Sequence, residues 1–566
     1  MLRFTLLEPA ADRQPKGDAG PFVRLDHAHL FGIDDIPVPG EVTRDADTVR
    51  CEPSSDDPAG LRLQVSLDDR PTDGLGSLGS MTLQTCLLPG REQPYLLALE
   101  LARHRVMQVF NKLEDWGLFV PGEQDDVLEA VEQARALFMQ AVVSQRDPAG
   151  AFRPEAEALA RSALAAAVDA GERLAIAASA RDAPERVAGR MYVAAAARFK
   201  HAHGDDPPPG IPILTPASRG VVLADRPQVG VAIDPRAFNE PLANAVQRCA
   251  DFVSIPMRWN DMEPAEGELS FRATDRWIEW AVRSAKIPVH AGPVIDFRPE
   301  CVPEWLYIWE NDYETLRELV YEHVRQIVTR YRRTVRRWTI ASGLHVNRNI
   351  RLSFDQMMDM TRIAVLMVKK LHPQAKVQLE IVQPFGGYYA RNRNSLPPTL
   401  YADMAVQGGL AVDAFSIKLQ VGSLQPGQTV RDLMQLSGLL DRFADYERPI
   451  AVTIGCPAEQ ITPQTGPDAQ NDKPAADPGV WREPWNAERQ AEWLRRMTAA
   501  CLSKPYVTSV TWHQLADGPG RVMEMPAGGL IDSKGQARPS LAAMSEIRRA
   551  VREGRSPIAS PPVATG

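Results

Sequence analysis

WTIASGLH, residues Trp338 to His345, decides how the chain is read. A basic run, RYRRTVRR (Arg330–Arg337), precedes it and suits the solvated end of a helix before a strand. Ile340 and Ala341 give the stretch an apolar centre, and Ser342-Gly343 stops it. This is the pattern of a buried strand whose C-terminal end opens onto a loop. Working outward, similar runs recur at 228–233, 252–257, 287–295, 376–382, 414–421, 448–455 and 507–514. Helical patterns such as TLRELVYEHVRQIVTRY and AERQAEWLRRMTAAC fall in most of the gaps. Eight apolar strands alternating with helices predict an α/β chain built on a parallel (β/α)8 TIM barrel. Strands buried on both faces account for the near-continuous apolar runs.

Chemistry in such a barrel belongs at the C-terminal ends of the strands. The residues falling there include Arg258, Trp259, His290, Asp296, Ser342, Gly343, His345, Glu380, Gln383, Lys418, Gln420, Thr453, Ile454, Trp512, His513 and Asp517. No carboxylate closes the Trp338 strand.

The first 93 residues read as short strands punctuated by Pro, Gly and Asp, a small β-rich module that could be sandwich-like. From Pro94 the apolar spacing becomes helical, and residues 94–204 are expected to form a helical hairpin or small bundle. Residues 205–227 open with the Pro-rich DDPPPGIP and are read as a linker, 228–550 as the barrel and 551–566 as a disordered tail.

Apolar residues make up 44% and charged residues 24% of the 566, with a net charge of −8, which suits a globular protein and argues against a nucleic-acid partner. No apolar run reaches membrane-spanning length. The N-terminus lacks the apolar core of a secretory signal, so a cytoplasmic location is expected. The six cysteines form no CxxC pair and no histidine cluster has metal spacing, so free thiols are expected and no metal or cofactor is implied.

Several blocks together resemble glycoside hydrolase family 10, the endo-1,4-beta-xylanases, over about residues 228–548. They are RWNDMEPAEGELSFRATDRWIEWA, IPVHAG, VPEWL followed by the Trp338 strand, VDAFSIKLQVG, RPIAVTIG, VTSVTWHQLAD and GGLIDSKGQARPSLAAM. The resemblance implies a retaining mechanism with two carboxylates about 5–5.5 Å apart. Laid on this chain, the acid/base falls at Gly343 and the nucleophile at Ile454. The family's subsite lysine becomes Arg258, and its sixth-strand Gln and His become Lys418 and Gln420; His290, Trp259 and Trp512 keep their types. The resemblance thus implies a xylan-type saccharide ligand, bound by Arg258, Trp259, His290, Lys418, Gln420 and Trp512. Catalysis would need displaced carboxylates, of which Asp296 and Glu380 are the candidates.

Each of these residues has a plainer reading. Glu380 could pair with Lys418 inside the barrel, Asp296 could cap its loop, and Asp517 precedes Gly518-Pro519 as a turn residue. His290 could be a core histidine, and Trp259 and Trp512 could be rim anchors instead of sugar platforms. His345 and Asn347 read as surface, Tyr388–Asn394 as a cleft wall or an ordered loop, and Thr462–Gly479 as a mobile loop or lid. Three functions follow: a saccharide-binding barrel without hydrolysis, an O-glycosyl hydrolase using displaced carboxylates, and a non-catalytic interaction scaffold.

Overall fold

The computed structural model describes residues 1–7, 22–67, 77–119, 125–215, 219–460, 477–518 and 525–557. Among them, eight parallel strands close on themselves. They are Gln228–Ala232, Phe252–Ile255, Val289–Ala291, Val335–Ser342, Lys376–Ile381, Ala414–Gln420, Ile450–Gly455 and Val507–Trp512. Each pairs with the next, and the eighth pairs with the first. The barrel expected from the sequence is therefore present. The 287–295 run is the one expected strand that divides: after Ala291 it breaks, and Ile295–Asp296 rejoins the sheet beside Ala341 and Ser342.

One side of each strand faces the helices. Val229, Val231, Val253, Ile255, Trp338, Ile340, Val377, Leu379, Ile417, Val452 and Val510 are all within 0% exposure there. The helices begin where polar caps stop the strand-end loops. Asn239, Asp312, Ser353, Asp432 and Asn486 each accept a backbone N–H of the following first turn, which fixes where each loop ends.

The β-rich start forms two sheets. One has four strands in the order Gly40–Asp45, Thr48–Pro53, Leu2–Thr5, Tyr95–Leu96. The other has five, in the order Val480–Trp481, Gly79–Gln84, Gly60–Ser66, Val23–Phe31, Pro37–Val38. Its first strand comes from the segment after the seventh barrel strand, so the barrel lends an edge to the N-terminal sheet.

Residues 94–204 hold helices Leu97–Asp115, Asp125–Val143, Pro154–Val187 and Arg190–His203. The 34-residue third helix is the hub: Ala160, Ala163, Ala167 and Ala170 are fully buried. Alanine at these places lets neighbouring backbones approach closely. Two buried charges tie this segment to the barrel. Arg105 donates to Asp432 at 2.7 Å, and Glu172 accepts from Leu433 N at 2.7 Å and from Trp481 Nε1 at 3.3 Å. The stretch read as a linker is more than that, since Ile213–Thr215 and Gly220–Val222 pair as an antiparallel ribbon whose Ile213 and Val222 pack on Ala195. The expected tail begins inside the helix Pro539–Arg552, and residues 558–566 lie outside the described residues.

Candidate functional site

Two cavities open at the C-terminal end of the barrel, one of about 560 Å³ over the barrel axis and one of about 430 Å³ beside it. Asp296, Arg298 and Lys418 line both and form the wall between them.

The fourth strand delivers Ser342 to this wall. Ser342 lies in register with Asp296 on one side and Glu380 on the other, so three polar side chains stand at one height on adjacent strands. Ser342 Oγ donates to Glu380 Oε1 at 2.7 Å, and Ser416 Oγ donates to Oε2 at 3.4 Å. Two hydroxyls thus hold Glu380 in place. Lys418 also acts on Asp296. Burial pushes the Asp296 carboxyl up, but the fork of Arg298, its backbone N–H and the charge of Lys418 outweigh that and hold it below the usual carboxylate range. The Arg298 fork is tight, with Nε at 3.0 and 2.9 Å and Nη2 at 2.6 Å, and Cys301 Sγ adds a contact at 3.5 Å.

Two other aspartates of the mouth are equally tied. Asp234 receives the guanidinium of Arg236 at 3.2 and 3.0 Å and its backbone N–H at 3.0 Å. Asp517 takes Arg538 at 2.7 Å, Gly529 N at 2.7 Å and Gln514 Nε2 at 3.0 Å, which makes it the organiser of its loop.

At the first expected catalytic position, Gly343 has φ +65° and turns the chain into the short helix Leu344–Val346. A side chain there would sit in the left-handed region and 3.1 Å from Val382 Cγ2. At the second, parity changes the picture. Ala451 and Thr453 line the axial cavity, so Ile454, 1% exposed, points to the helical layer. The next inward place is Gly455, where a Cβ would fall 2.2 Å from His513 Cδ2. The imidazole of His513 occupies the space a seventh-strand side chain would need.

Arg258, His290 and Lys418 line the axial cavity, and Lys418 and Gln420 line the second. Gln420 accepts from Gln428 at 2.8 Å. Arg258 lies 3.5 Å from Asp261. His290 stacks on Phe252 with ring centres 3.8 Å apart, and burial together with Arg337 lowers its pKa well below the ordinary histidine value. The two tryptophans are placed differently from the sequence expectation. Trp259 is buried, stacks on His323 at 4.2 Å and donates to Glu263 at 3.0 Å. Trp512 is fully buried, donates to Gly528 O at 3.0 Å and meets Trp493 edge-on. Both faces are spent on the protein itself, so they anchor the rim and present no open platform.

His345 and Asn347 are not surface residues. His345 is fully buried between Tyr401 and Tyr388 with Nε2 3.0 Å from Val382 O, and Asn347 bonds Leu352 and Asn394. From the Tyr388–Asn394 loop, Asn392 donates to Val346 O and Asn347 O, so this loop braces the turn after the fourth strand. Of the Thr462–Gly479 loop, residues 462–476 lie outside the described residues. All six cysteines are free, and among the described residues no group of three or more His, Cys, Asp or Glu side chains is placed to hold a metal. No described helix is long and apolar enough to cross a membrane.

Fold and mouth together define a (β/α)8 barrel with a polar, two-chambered site at the end where such barrels bind their ligands. Residues 220–363, which carry the first four strands and Gly343, match the family model of Glycosyl hydrolase family 10. Similar solved structures include native xylanase 10B from Thermotoga maritima, at 15% identity over 58% of this chain and 97% of that one, with a TM-score of 0.42. The family 10 protein from Paenibacillus barcinonensis gives 18% identity over 56% and 94%, with a TM-score of 0.42. Xylanase B from Clostridium stercorarium F9 gives 14% over 57% and 97%, with a TM-score of 0.43.

Proposed function

We propose that this chain is a glycoside hydrolase family 10-like protein that binds a saccharide of the xylan type in the barrel mouth and does not hydrolyse it. One observation carries the reading: of the four aspartates that line the axial cavity, Asp234, Asp296 and Asp517 are each locked to an arginine, and Asp532 is engaged by the backbone N–H groups of Lys534 and Gln536. A retaining hydrolase needs one carboxyl group that gives up a proton and a second that attacks, 5–5.5 Å apart. Asp234 and Asp296, held below the usual carboxylate range by their arginines against the push of burial, have no proton to give, and the oxygens of Asp517 are already engaged. Glu380 takes hydroxyls and stands without a free partner carboxylate of its own height, because Asp296 is spoken for. General acid help alone is worth about 10²–10⁴-fold, which Gly343 and Ile454 cannot supply.

What remains in the mouth suits recognition. Gln420, Lys418, Arg258 and His290 offer donors and acceptors on concave, partly buried walls, the usual make-up of a small-ligand site. Titration calorimetry with xylobiose and xylotetraose is expected to give binding, with no release of reducing ends above the uncatalysed level. Gln420→Ala should weaken that binding by about 1 kcal/mol, roughly fivefold. Turnover that disappears in Glu380→Gln or Asp296→Asn would instead establish a hydrolase with displaced carboxylates.

A further inference from the structure

An eight-stranded barrel is ordinarily filled along its axis by branched apolar side chains. Here the inward places at mid-height are small or polar. Ser254, His290, Thr339, Gln378, Ser416 and Ser509 come from six strands, and Ala232 and Ala451 from the other two. All eight line the same 560 Å³ cavity as the strand-end residues two positions further on, Glu380, Lys418, Thr453 and Thr511. The cavity therefore descends through two levels of the barrel interior. Exposure places the open side of the shaft at the first four strands: Ala232, Ser254, His290 and Thr339 are only half-buried, while Val253, Trp338 and Ile340 beside them are fully buried and Gln378, Ser416, Ala451 and Ser509 opposite are buried.

The shaft has a floor. Phe252 lies across it beneath His290, and its ring fills the space where a Cβ on Gly230 would come within 2.2 Å. Arg337 reaches from the fourth strand to Thr508 on the eighth at 3.2 Å. A long chain cannot thread such a passage.

Resting on the saccharide reading above, we infer that the barrel axis is a dead-end shaft that takes one terminal sugar unit, or a compact polyol of that size, end-on. The lining hydroxyls of Ser254, Thr339, Ser416 and Ser509, with the Gln378 amide, pair with a ligand rich in hydroxyls. The throat mixes both signs, with Glu380 and Asp296 set among Lys418, Arg258 and Arg298, so no strong net charge is asked of the ligand. An open groove would bind the middle of a polymer and gain contacts with each added unit. A closed shaft recognises the end and is saturated by the first unit or two.

The test uses the full chain with Ser254→Cys, and with Thr339→Cys as a second variant. Each is treated with methyl methanethiosulfonate under native conditions, and the modified peptides are mapped by mass spectrometry. The buried Cys249 and Cys501 of the same molecule serve as internal controls. The shaft requires the new cysteine to react at least about tenfold faster than those two, and a bulky maleimide dye to leave it untouched. Protection of the cysteine by xylose as complete as that by xylotetraose supports end-on capture of a terminal unit. Protection by xylotetraose alone means an open groove and overturns the inference. A cysteine as slow as the controls in both variants removes the shaft, while calorimetric sugar binding can still stand. Rapid labelling that no sugar slows, with no heat of binding, sinks both readings together.

Discussion

The inside of the barrel and the inside of the helical segment are built from side chains of similar size, with opposite results. Helix Pro154–Val187 buries small alanines, and its neighbours close down on them until Ala160, Ala163 and Ala167 have no exposure at all. The barrel strands also carry small residues inward, Ser254, Thr339, Ser416, Ala451 and Ser509, and there the space stays open. Helices can slide together until small residues touch. A closed eight-stranded sheet cannot shrink, because its radius is set by strand number and stagger. Small side chains mean tight packing in the first case and a cavity in the second.

Acid should test whether these two regions stand or fall together, and it carries the largest effect. Burial first of all, with nearby arginines in some cases, lowers four histidines from the ordinary 6.5: His29 and His323 to about 3, His104 and His345 to about 4. Two lie in the N-terminal half and two in the barrel. Their neutral forms are favoured by the fold, so this stability is complete above about pH 6.5. It is lost as pH falls toward the folded values, because the unfolded chain takes up protons that the folded one refuses. Each histidine contributes about 1.4 kcal/mol per pH unit in that window. Urea midpoints at pH 7.5, 6 and 5 should drop steeply in one cooperative transition. Two separate transitions would show the halves to be independent.

The next effect is at the joint. Arg105→Ala leaves Asp432 charged and buried, which should cost about 3–5 kcal/mol. Chemical unfolding measures it, and a loss below about 1 kcal/mol would mean that water reaches the pair.

The smallest effects discriminate the two interiors directly. Ala163→Leu overfills the helical hub and is expected to cost about 1–3 kcal/mol. Ala451→Val enlarges a residue facing the shaft and should change stability by no more than about 0.5 kcal/mol. Equal losses from both would erase the distinction drawn between them.

The barrel was legible from Trp338–Gly343 and its seven counterparts because apolar runs, loop punctuation and helical spacing all point one way. The resemblance reached the strand ends through the same runs. What escaped was parity. Reading FVSIPM, KVQLEIV and AFSIKLQV as continuous apolar strands passed over Ser254, Gln378 and Ser416, the polar residues at every second place that turn out to face the axis. Parity also moves position 454: a motif alignment places it in the site, whereas alternation with Thr453 turns it to the helices. The tryptophans were misjudged because a residue type at a strand end does not say which way its ring lies. The arginine partners of the aspartates were hidden for a related reason. Arg236 and Arg298 stand two residues after Asp234 and Asp296, a spacing that could have been noticed, but Arg538 reaches Asp517 from a distant loop.

The strand Val480–Trp481 has a practical corollary. It hydrogen-bonds to Gly79 and Ser80 at the margin of the N-terminal sheet, and Trp481 is sealed there against Glu172. A clone begun at the Pro-rich segment near residue 207 would strip away that sheet and leave the strand as a bare, adhesive ribbon beside the barrel mouth. Whoever wishes to study the barrel by itself will have to redesign that ribbon first, or keep the whole polypeptide.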